Sequence, residues 1–162
     1  MTMHGVAKPV YRAFELMHNY TQAQQLAVQV AQPAGKPCFA AFATAAAAGD
    51  VGTLAVFVGS WNHAPDAQPN RTVTVQVTHA ANAGPSAATA YLIGGAYANP
   101  RALWEQMGSP DVPSASQLAQ LQAASQVGVQ PLACRASSAT VTEIDLPAPM
   151  ANNTAAAIVF QK

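Results

Sequence analysis

The sequence has little charge, no imbalance between the two signs and no long apolar run. Only 9% of its 162 residues are charged, and seven lysines and arginines stand against seven aspartates and glutamates. Because no net field exists to attract a polyanion, the composition disfavours nucleic-acid binding. No stretch approaches the roughly 18 consecutive apolar residues that a transmembrane helix needs, so we expect no membrane partner either.

An export signal is also missing from the first residues. Met1–Lys8 has neither an apolar segment nor a small-residue cleavage site, so we expect any such signal to lie upstream. Asn19, Asn70 and Asn152 each begin an Asn-x-Ser/Thr sequon, which is more than chance predicts for this composition. The excess favours a secreted parent protein.

Cysteine is scarce, with two residues far apart in the chain. Cys38 and Cys134 permit either one disulfide in an oxidising compartment or two free thiols in the cytosol. Both lie in apolar strand patterns, near Phe39, Phe42 and Leu132. We therefore favour buried thiols on core strands.

Apolar periodicity predicts a mainly β chain that opens with a helix. The helix begins at Pro9 and ends at Tyr20, and places Val10, Phe14 and Met17 on one face. Eight later segments have the pattern of extended strands bounded by turn residues. They are Leu26–Val30, Cys38–Thr44, Thr53–Ser60, Thr72–His79, Ala87–Ile93, Val129–Ala136, Ala139–Leu146 and Ala155–Gln161.

Two short helices are predicted between the fifth and sixth of these strands. The first spans Arg101–Met107 and follows Asn99, a typical helix-capping residue. The second begins at Ser114, which forms a capping-box pattern with Gln117, and ends at about Ser125. The predicted fold is an antiparallel β-sandwich with an N-terminal helix and a two-helix insertion between strands.

Two segments carry a resemblance to a known family. Residues 5–18 read GVAKPVYRAFELMH, and residues 99–110 read NPRALWEQMGSP, followed by PSASQL at 113–118. The first resembles the last helix of an eightfold barrel, and the second resembles a helical insertion in a β-sandwich. Taken together, the two segments resemble the end of family 39 glycoside hydrolases, the family of β-xylosidases and α-L-iduronidase.

The resemblance implies a division of the chain and a role for it. Residues 1–24 resemble the last barrel helix, and residues 25–162 resemble an accessory β-sandwich with its helical insertion at about 99–126. The implied function is a non-catalytic module that packs against the catalytic β/α barrel of a retaining glycosidase acting on xylosides or iduronides. A secreted or lysosome-like location follows only if the parent carries an upstream signal.

The family's catalytic residues have no counterpart in this sequence. The acid/base of family 39 lies in an Asn-Glu pair, and the sequence contains no such dipeptide. Before the Asn-Pro step, where family members commonly carry an acidic residue and a histidine, the chain reads Gly94-Gly-Ala-Tyr97. We therefore predict no catalytic residue, although glycosidase activity restored by added barrel segments stays a third hypothesis.

The available carboxylates have ordinary structural interpretations. Retaining hydrolysis needs two carboxyl groups about 5–5.5 Å apart, and Glu143 and Asp145 share a face of one predicted strand. That arrangement is more typical of a solvated sheet face. We expect Glu15 to pair with Arg12, and Glu105 with Arg101. The remaining carboxylates lie in predicted turns, at Asp50, Asp66 and Asp111.

Metal, cofactor and nucleophile chemistry find no support in the sequence. The four histidines are scattered without metal-ligand spacing, at positions His4, His18, His63 and His79. Ser60 and Ser109 lack the Gly-x-Ser-x-Gly elbow that exposes a nucleophile. We predict no metal and no cofactor.

Two tryptophans are candidates for contact with sugar, because an indole covers the apolar face of a pyranose. Trp61 follows a predicted strand and is the candidate carbohydrate-binding residue. Trp104 lies in the helical insertion, where we expect it to pack either in the core, between the insertion and the sheets, or between domains. A freestanding carbohydrate-binding module is thus the alternative function. Self-association through the helix stripe of Val10, Phe14 and Met17 is the alternative to the barrel as a partner.

Overall fold

A computed structural model describes residues 5–31, 39–61, 72–147, 150 and 153–161. Three helices are present in these residues: α1 (Pro9–Tyr20), α2 (Pro100–Gln106) and α3 (Ala115–Ala124). The strands are β1 (Gln24–Leu26), β2 (Phe39–Ala45), β3 (Ala55–Ser60), β4 (Thr74–Thr78), β5 (Ala87–Ile93), β6 (Gly128–Ala133), β7 (Arg135–Ser138), β8 (Val141–Asp145) and β9 (Thr154–Gln161). None of the described helices is both long enough and apolar enough to cross a membrane.

The strands form two antiparallel sheets. The larger sheet has six strands in the order β1-β2-β3-β9-β5-β6, and the smaller has three in the order β4-β8-β7. The two inner faces share one apolar core, as expected of a sandwich. The predicted fold class, with its N-terminal helix and its two-helix insertion, is confirmed.

The main core lies between the sheets and follows from the alternation of apolar side chains along the strands. The larger sheet contributes Val56, Ile158 and Phe160, of which the last two are at most 1% exposed. The smaller sheet contributes Val77 and Ile144 from β4 and β8. Val73 and Val75 also pack on this core, and the polar residues that alternate with them, Thr74 and Gln76, are exposed.

A second apolar cluster lies on the outer face of the larger sheet, where α1 packs. Leu16 is the buried residue of α1, and it clusters with Phe57, Ile93 and other residues of β3, β5 and β9. Tyr20, at the end of the helix, stacks on Tyr91 with ring centroids 4.7 Å apart. The helix therefore docks on its own sandwich through a face that the sequence pattern had not singled out.

The guanidinium of Arg12 connects α1 to the helical insertion through a hydrogen bond. Arg12 is mostly buried, and its Nε donates a hydrogen bond to the carbonyl oxygen of Ser125, which follows α3, at 2.9 Å. A cation beside the carbonyl end of a helix is favourable, because those carbonyl groups carry the negative end of the helix dipole. This contact fixes α1 relative to α3.

The two helices of the insertion lie within one residue of their predicted bounds, but not all the predicted contacts are present. The capping box between Ser114 and Gln117 is present in both directions. Asn99 does not cap α2 with its side chain, because its amide instead donates to the carbonyl of Gly95 at 3.2 Å. Trp104 is half-buried and absent from both core clusters, and its indole donates to Pro110 at 3.1 Å. The prediction that it packs in the core is therefore wrong, and packing between domains stays a prediction.

Two strand predictions also need correction. The first strand ends at Leu26, and Val28 and Val30 are exposed, where the pattern had predicted a strand to Val30. The segment 129–136 is not one strand, because the chain leaves the larger sheet after β6 and enters the smaller sheet at β7. Alternation indicates extended backbone, whereas strand pairing depends on a neighbour that the local pattern does not show.

Candidate functional site

Helix α1 has an exposed apolar surface. Val10, Tyr11, Phe14 and Met17 are 58%, 42%, 66% and 40% exposed, and we call them the outer stripe. They lie on the opposite side of the helix from Leu16, which is buried. Exposed apolar residues that adjoin one another on a soluble protein commonly mark an interaction surface.

A groove of about 270 Å³ runs between α1 and the outer face of the larger sheet. Ala13, Leu16 and Met17 form its helix side, and every residue that lines it is apolar or glycine. Its sheet side includes the neighbouring residues Ala40, Gly59 and Ala155, which the strand register pairs with one another. A β-carbon at Gly59 would meet no atom within 4 Å, so the space above the sheet is open.

This groove was missed at the sequence level, although a signal for it exists. Residues with small side chains lie on three adjacent strands, at Ala40 of β2, Gly59 of β3, and Ala155 and Ala157 of β9. Small residues on the outward face leave room beside the larger Phe42 and Phe57, whose rings stack at 4.5 Å. Recognising the groove required knowing that β2, β3 and β9 are neighbours.

Trp61, the predicted carbohydrate-binding residue, directly follows β3 and is 37% exposed. It comes two residues after Gly59, which belongs to the groove. Three other residues considered at the sequence level lie outside the described part of the chain, namely His63, Asp66 and Asn70. The same holds for His4, Cys38 and Asn152.

Two predicted ion pairs are confirmed on the helices. Glu15 accepts a hydrogen bond from Arg12 at 2.7 Å, and Glu105 accepts one from Arg101 at 2.8 Å. Arg12 therefore binds both a carboxylate and the carbonyl of Ser125, while the second pair lies exposed on α2. Exposed pairs of this kind contribute little stability, about 0.2–1 kcal/mol.

Glu143 and Asp145 lie on the outward face of β8, and Arg135 of β7 contacts both, at 2.9 and 3.4 Å. Gln76 donates a further hydrogen bond to Glu143 at 2.9 Å. The hydrogen bonds from Arg135 and Gln76 lower the pKa of Glu143 below its ordinary value. A general acid needs the opposite shift, so this cluster is suited to holding the sheet face together.

Among the described residues, Asp50 and the histidines do not assemble a site. Asp50 precedes β3 outside any helix or strand, as the predicted turn implies, and its carboxylate accepts a hydrogen bond from the backbone N–H of Gly52 at 3.0 Å. His79 contacts the carbonyl of Ala80 and the hydroxyl of Thr142. No group of three or more histidine, cysteine or acidic side chains in this part of the chain is arranged to hold a metal.

Cys134 carries a free, half-buried thiol that packs against the main core. It lies at the junction between β6 and β7, not within a strand as predicted. Burial raises the pKa of this thiol, so it stays protonated and weakly nucleophilic near neutral pH.

Comparison with known structures supports the fold. The crystal structure of the GH39 enzyme from Xanthomonas axonopodis pv. citri matches with a TM-score of 0.68 and 18% identity, over 97% of this chain and 31% of that one. A monomeric beta-xylosidase from Caulobacter crescentus CB15 matches with a TM-score of 0.64 and 20% identity, over 99% and 32%. The chain thus spans about a third of the length of these structures.

Comparison with known sequences gives the family. No curated protein matches the sequence. The sequence model of Glycosyl hydrolases family 39 matches residues 1–140, which include α1, the helical insertion and all but the last two strands. This agrees with the resemblance drawn from residues 5–18 and 99–118. Because the match extends over most of the sequence, the chain belongs to glycosyl hydrolases family 39.

Proposed function

We propose that this chain is the non-catalytic sandwich module of a family 39 glycoside hydrolase, and that it packs against the catalytic barrel of that enzyme. The outer stripe on α1 carries the proposal. Its residues are exposed, apolar and adjacent to the equally apolar groove on the larger sheet. In this arrangement residues 1–24 contribute the helix that contacts the barrel, and residues 25–162 contribute the sandwich that holds the helix in place.

Burial of the outer stripe gives a sufficient driving force for packing. Complete burial of one large apolar side chain contributes about 1.5–3 kcal/mol, and Phe14 and Val10 retain more than half of their exposure in the described structure. The chain carries no net charge to oppose association. In the absence of a barrel, we expect the same stripe to drive self-association.

The contacts of the carboxylates support a role without catalysis. Glu15, Glu105 and Glu143 are each bound to an arginine. The hydrogen bond from Arg135 lowers the pKa of Glu143, which is the opposite of the shift that a general acid near neutral pH needs. The parent enzyme would supply both catalytic carboxylates from its barrel and would act on a xyloside or an iduronide.

A chimera tests this proposal directly. This chain replaces the matching third of the Caulobacter crescentus beta-xylosidase, and the chimera is compared with its Phe14→Glu variant. We expect Phe14→Glu to lower the thermal unfolding midpoint by at least about 5 °C, because a buried unpaired carboxylate costs several kcal/mol. Val112→Glu is the matched control, because Val112 is 82% exposed in the helical insertion and lies outside the stripe.

The comparison of the two variants distinguishes packing of the outer stripe on the barrel from a general effect of an added negative charge. If Phe14→Glu and Val112→Glu shift the midpoint equally, the outer stripe does not face the barrel and the proposal is wrong. A chimera that fails to fold with the unaltered chain would contradict it as well. Assay of the isolated chain on aryl xylosides and iduronides should give no turnover.

Carbohydrate binding through Trp61 is the second candidate function, and its exposure at the end of β3 favours it. We expect retention of the chain on a xylan affinity gel, and a loss of roughly tenfold in affinity with Trp61→Ala, since a stacked aromatic ring contributes about 0.5–1.5 kcal/mol beyond its area. Trp104→Ala is the matched control. Retention unchanged by Trp61→Ala would remove the basis for this function.

A further inference from the structure

Strand β4 forms the edge of the smaller sheet. It pairs with β8 along its whole length, and within the described residues no strand pairs with its other side. The backbone hydrogen bonds at the two ends of β4 show in which direction the N–H and C=O groups of each residue point. Leu146 donates to the carbonyl of Val73 at 3.0 Å, and His79 donates to the carbonyl of Thr140 at 2.9 Å.

These bonds define the direction of every backbone group on β4. In an antiparallel pair, residues that bond to the neighbouring strand alternate with residues whose N–H and C=O groups point away from it. The backbone groups of Val73 and His79 form hydrogen bonds on the side of β8. The N–H and C=O groups of the odd-numbered residues of β4 therefore also point toward β8. The N–H and C=O groups of Thr74, Gln76 and Thr78 therefore point to the free edge.

The free edge lacks the features that usually protect one. Natural proteins block edge strands with charged side chains, proline or bulges, and β4 reads Thr-Val-Gln-Val-Thr with a regular register. A cleft of about 980 Å³ adjoins it, lined across from β4 by Ala27–Ala31. Within the described residues, no backbone hydrogen bond joins that segment to β4.

The sequence of β4 is the same in both directions around Gln76. Threonines stand at 74 and 78, and valines stand at 75 and 77. If two copies of β4 lie antiparallel with a twofold axis at Gln76, each Thr74 faces a Thr78 and each Gln76 faces its own copy. All of these residues point their backbone groups to the free edge, so the register and the hydrogen-bond pattern agree.

We infer that β4 is the interface of a symmetric homodimer of this chain. The pairing forms six N–H···O bonds and joins two three-stranded sheets into one sheet of six strands. On the inner face, Val75 of each copy lies against Val77 of the other in the closer, non-hydrogen-bonded type of pair. Val75, half-buried in a single chain, becomes more deeply buried at the edge of the cleft.

The charges of the chain do not oppose the pairing of two β4 strands. The chain has no net charge, and the side chain of Gln76 is bound to Glu143 of its own chain. Glu143 lies one strand away from the edge, so the two Glu143 residues of the dimer are separated by three strand spacings, about 14 Å. That distance exceeds the Debye length of about 8 Å at physiological salt, and Arg135 neutralises each carboxylate.

Sedimentation of the full chain tests the dimer, with Phe14→Glu present in every sample to remove association through the outer stripe. We expect the measured mass to double as concentration rises. Gln76→Pro should give a monomer, because it removes the N–H at the axis without touching a bond to β8. Gln76→Ala, the matched control, loses the same side chain but keeps the N–H and should still dimerise.

Amide hydrogen exchange supplies a readout that a nonspecific contact would not produce. The N–H groups of Thr74, Gln76 and Thr78 should be protected at high concentration and lose that protection on dilution, whereas those of Val75 and Val77 stay protected throughout. If Gln76→Pro unfolds by circular dichroism, Gln76→Lys replaces it, since it puts two like charges at the axis. A chain that stays monomeric, or a dimer that neither variant weakens, overturns the inference.

Discussion

Replacement of Phe160 by alanine is expected to lower the free energy of unfolding by about 3–5 kcal/mol. Phe160 is 1% exposed and lies on β9, between β3 and β5 in the larger sheet. Its ring belongs to the core shared by both sheets, and its backbone N–H donates to the carbonyl of Leu54 at 2.9 Å. The substitution removes the ring and leaves a cavity that central strands cannot close.

Urea unfolding followed by circular dichroism measures this loss. Phe14→Ala is the matched control, because it removes the same side chain from a position that is 66% exposed. The control should change the free energy of unfolding by less than about 1 kcal/mol. Equal losses for the two variants would mean that Phe160 does not lie in the core that joins the sheets.

Replacement of Leu16 by alanine is the second large effect, and we expect it to destabilise the docking of α1 by about 2–5 kcal/mol. Leu16 is 6% exposed and is the buried residue of the helix. Beyond it, the docked face relies on Ala13, Tyr20 and the hydrogen bond from Arg12 to Ser125. Loss of Leu16 should therefore release the helix while the sandwich stays folded.

Limited proteolysis with mass spectrometry distinguishes release of α1 from global unfolding. Cleavage between α1 and β1 should become faster in Leu16→Ala, and the remaining sandwich should resist digestion. Met17→Ala, next to it and 40% exposed, is the control and should be cleaved at nearly the rate of the unaltered chain. Global unfolding of Leu16→Ala would show that α1 is part of one cooperative unit with the sheets.

The strands and capped helices were largely predictable because their signals are local. Alternation of valine with threonine predicted β4, and the Ser114 to Gln117 spacing predicted the start of α3. Side-chain contacts within one helix, such as Arg101 with Glu105, also follow from spacing alone. Cys134 shows the limit of such signals. Its apolar neighbours indicated burial, but they did not reveal that the chain changes sheets at that residue.

The outer stripe shows why the candidate site needed the fold. Apolar residues cover a wide arc of α1, so the sequence did not decide which of them contact the sheet. The pattern singled out Val10, Phe14 and Met17, and the tertiary structure leaves these exposed while burying Leu16. The groove beside α1 likewise depends on β2, β3 and β9 being neighbours, which no local pattern indicates.

By itself the sequence determined the fold class, the positions of the helices and most strands, and the resemblance to family 39, because each depends on neighbours within a few residues or on a continuous motif. Only the tertiary structure decided which face of α1 docks, where the apolar groove lies and which strand has a free edge. These features depend on residues far apart in the chain. Their contacts are determined by which faces of the helix and the sheets bury the most apolar surface in the folded protein.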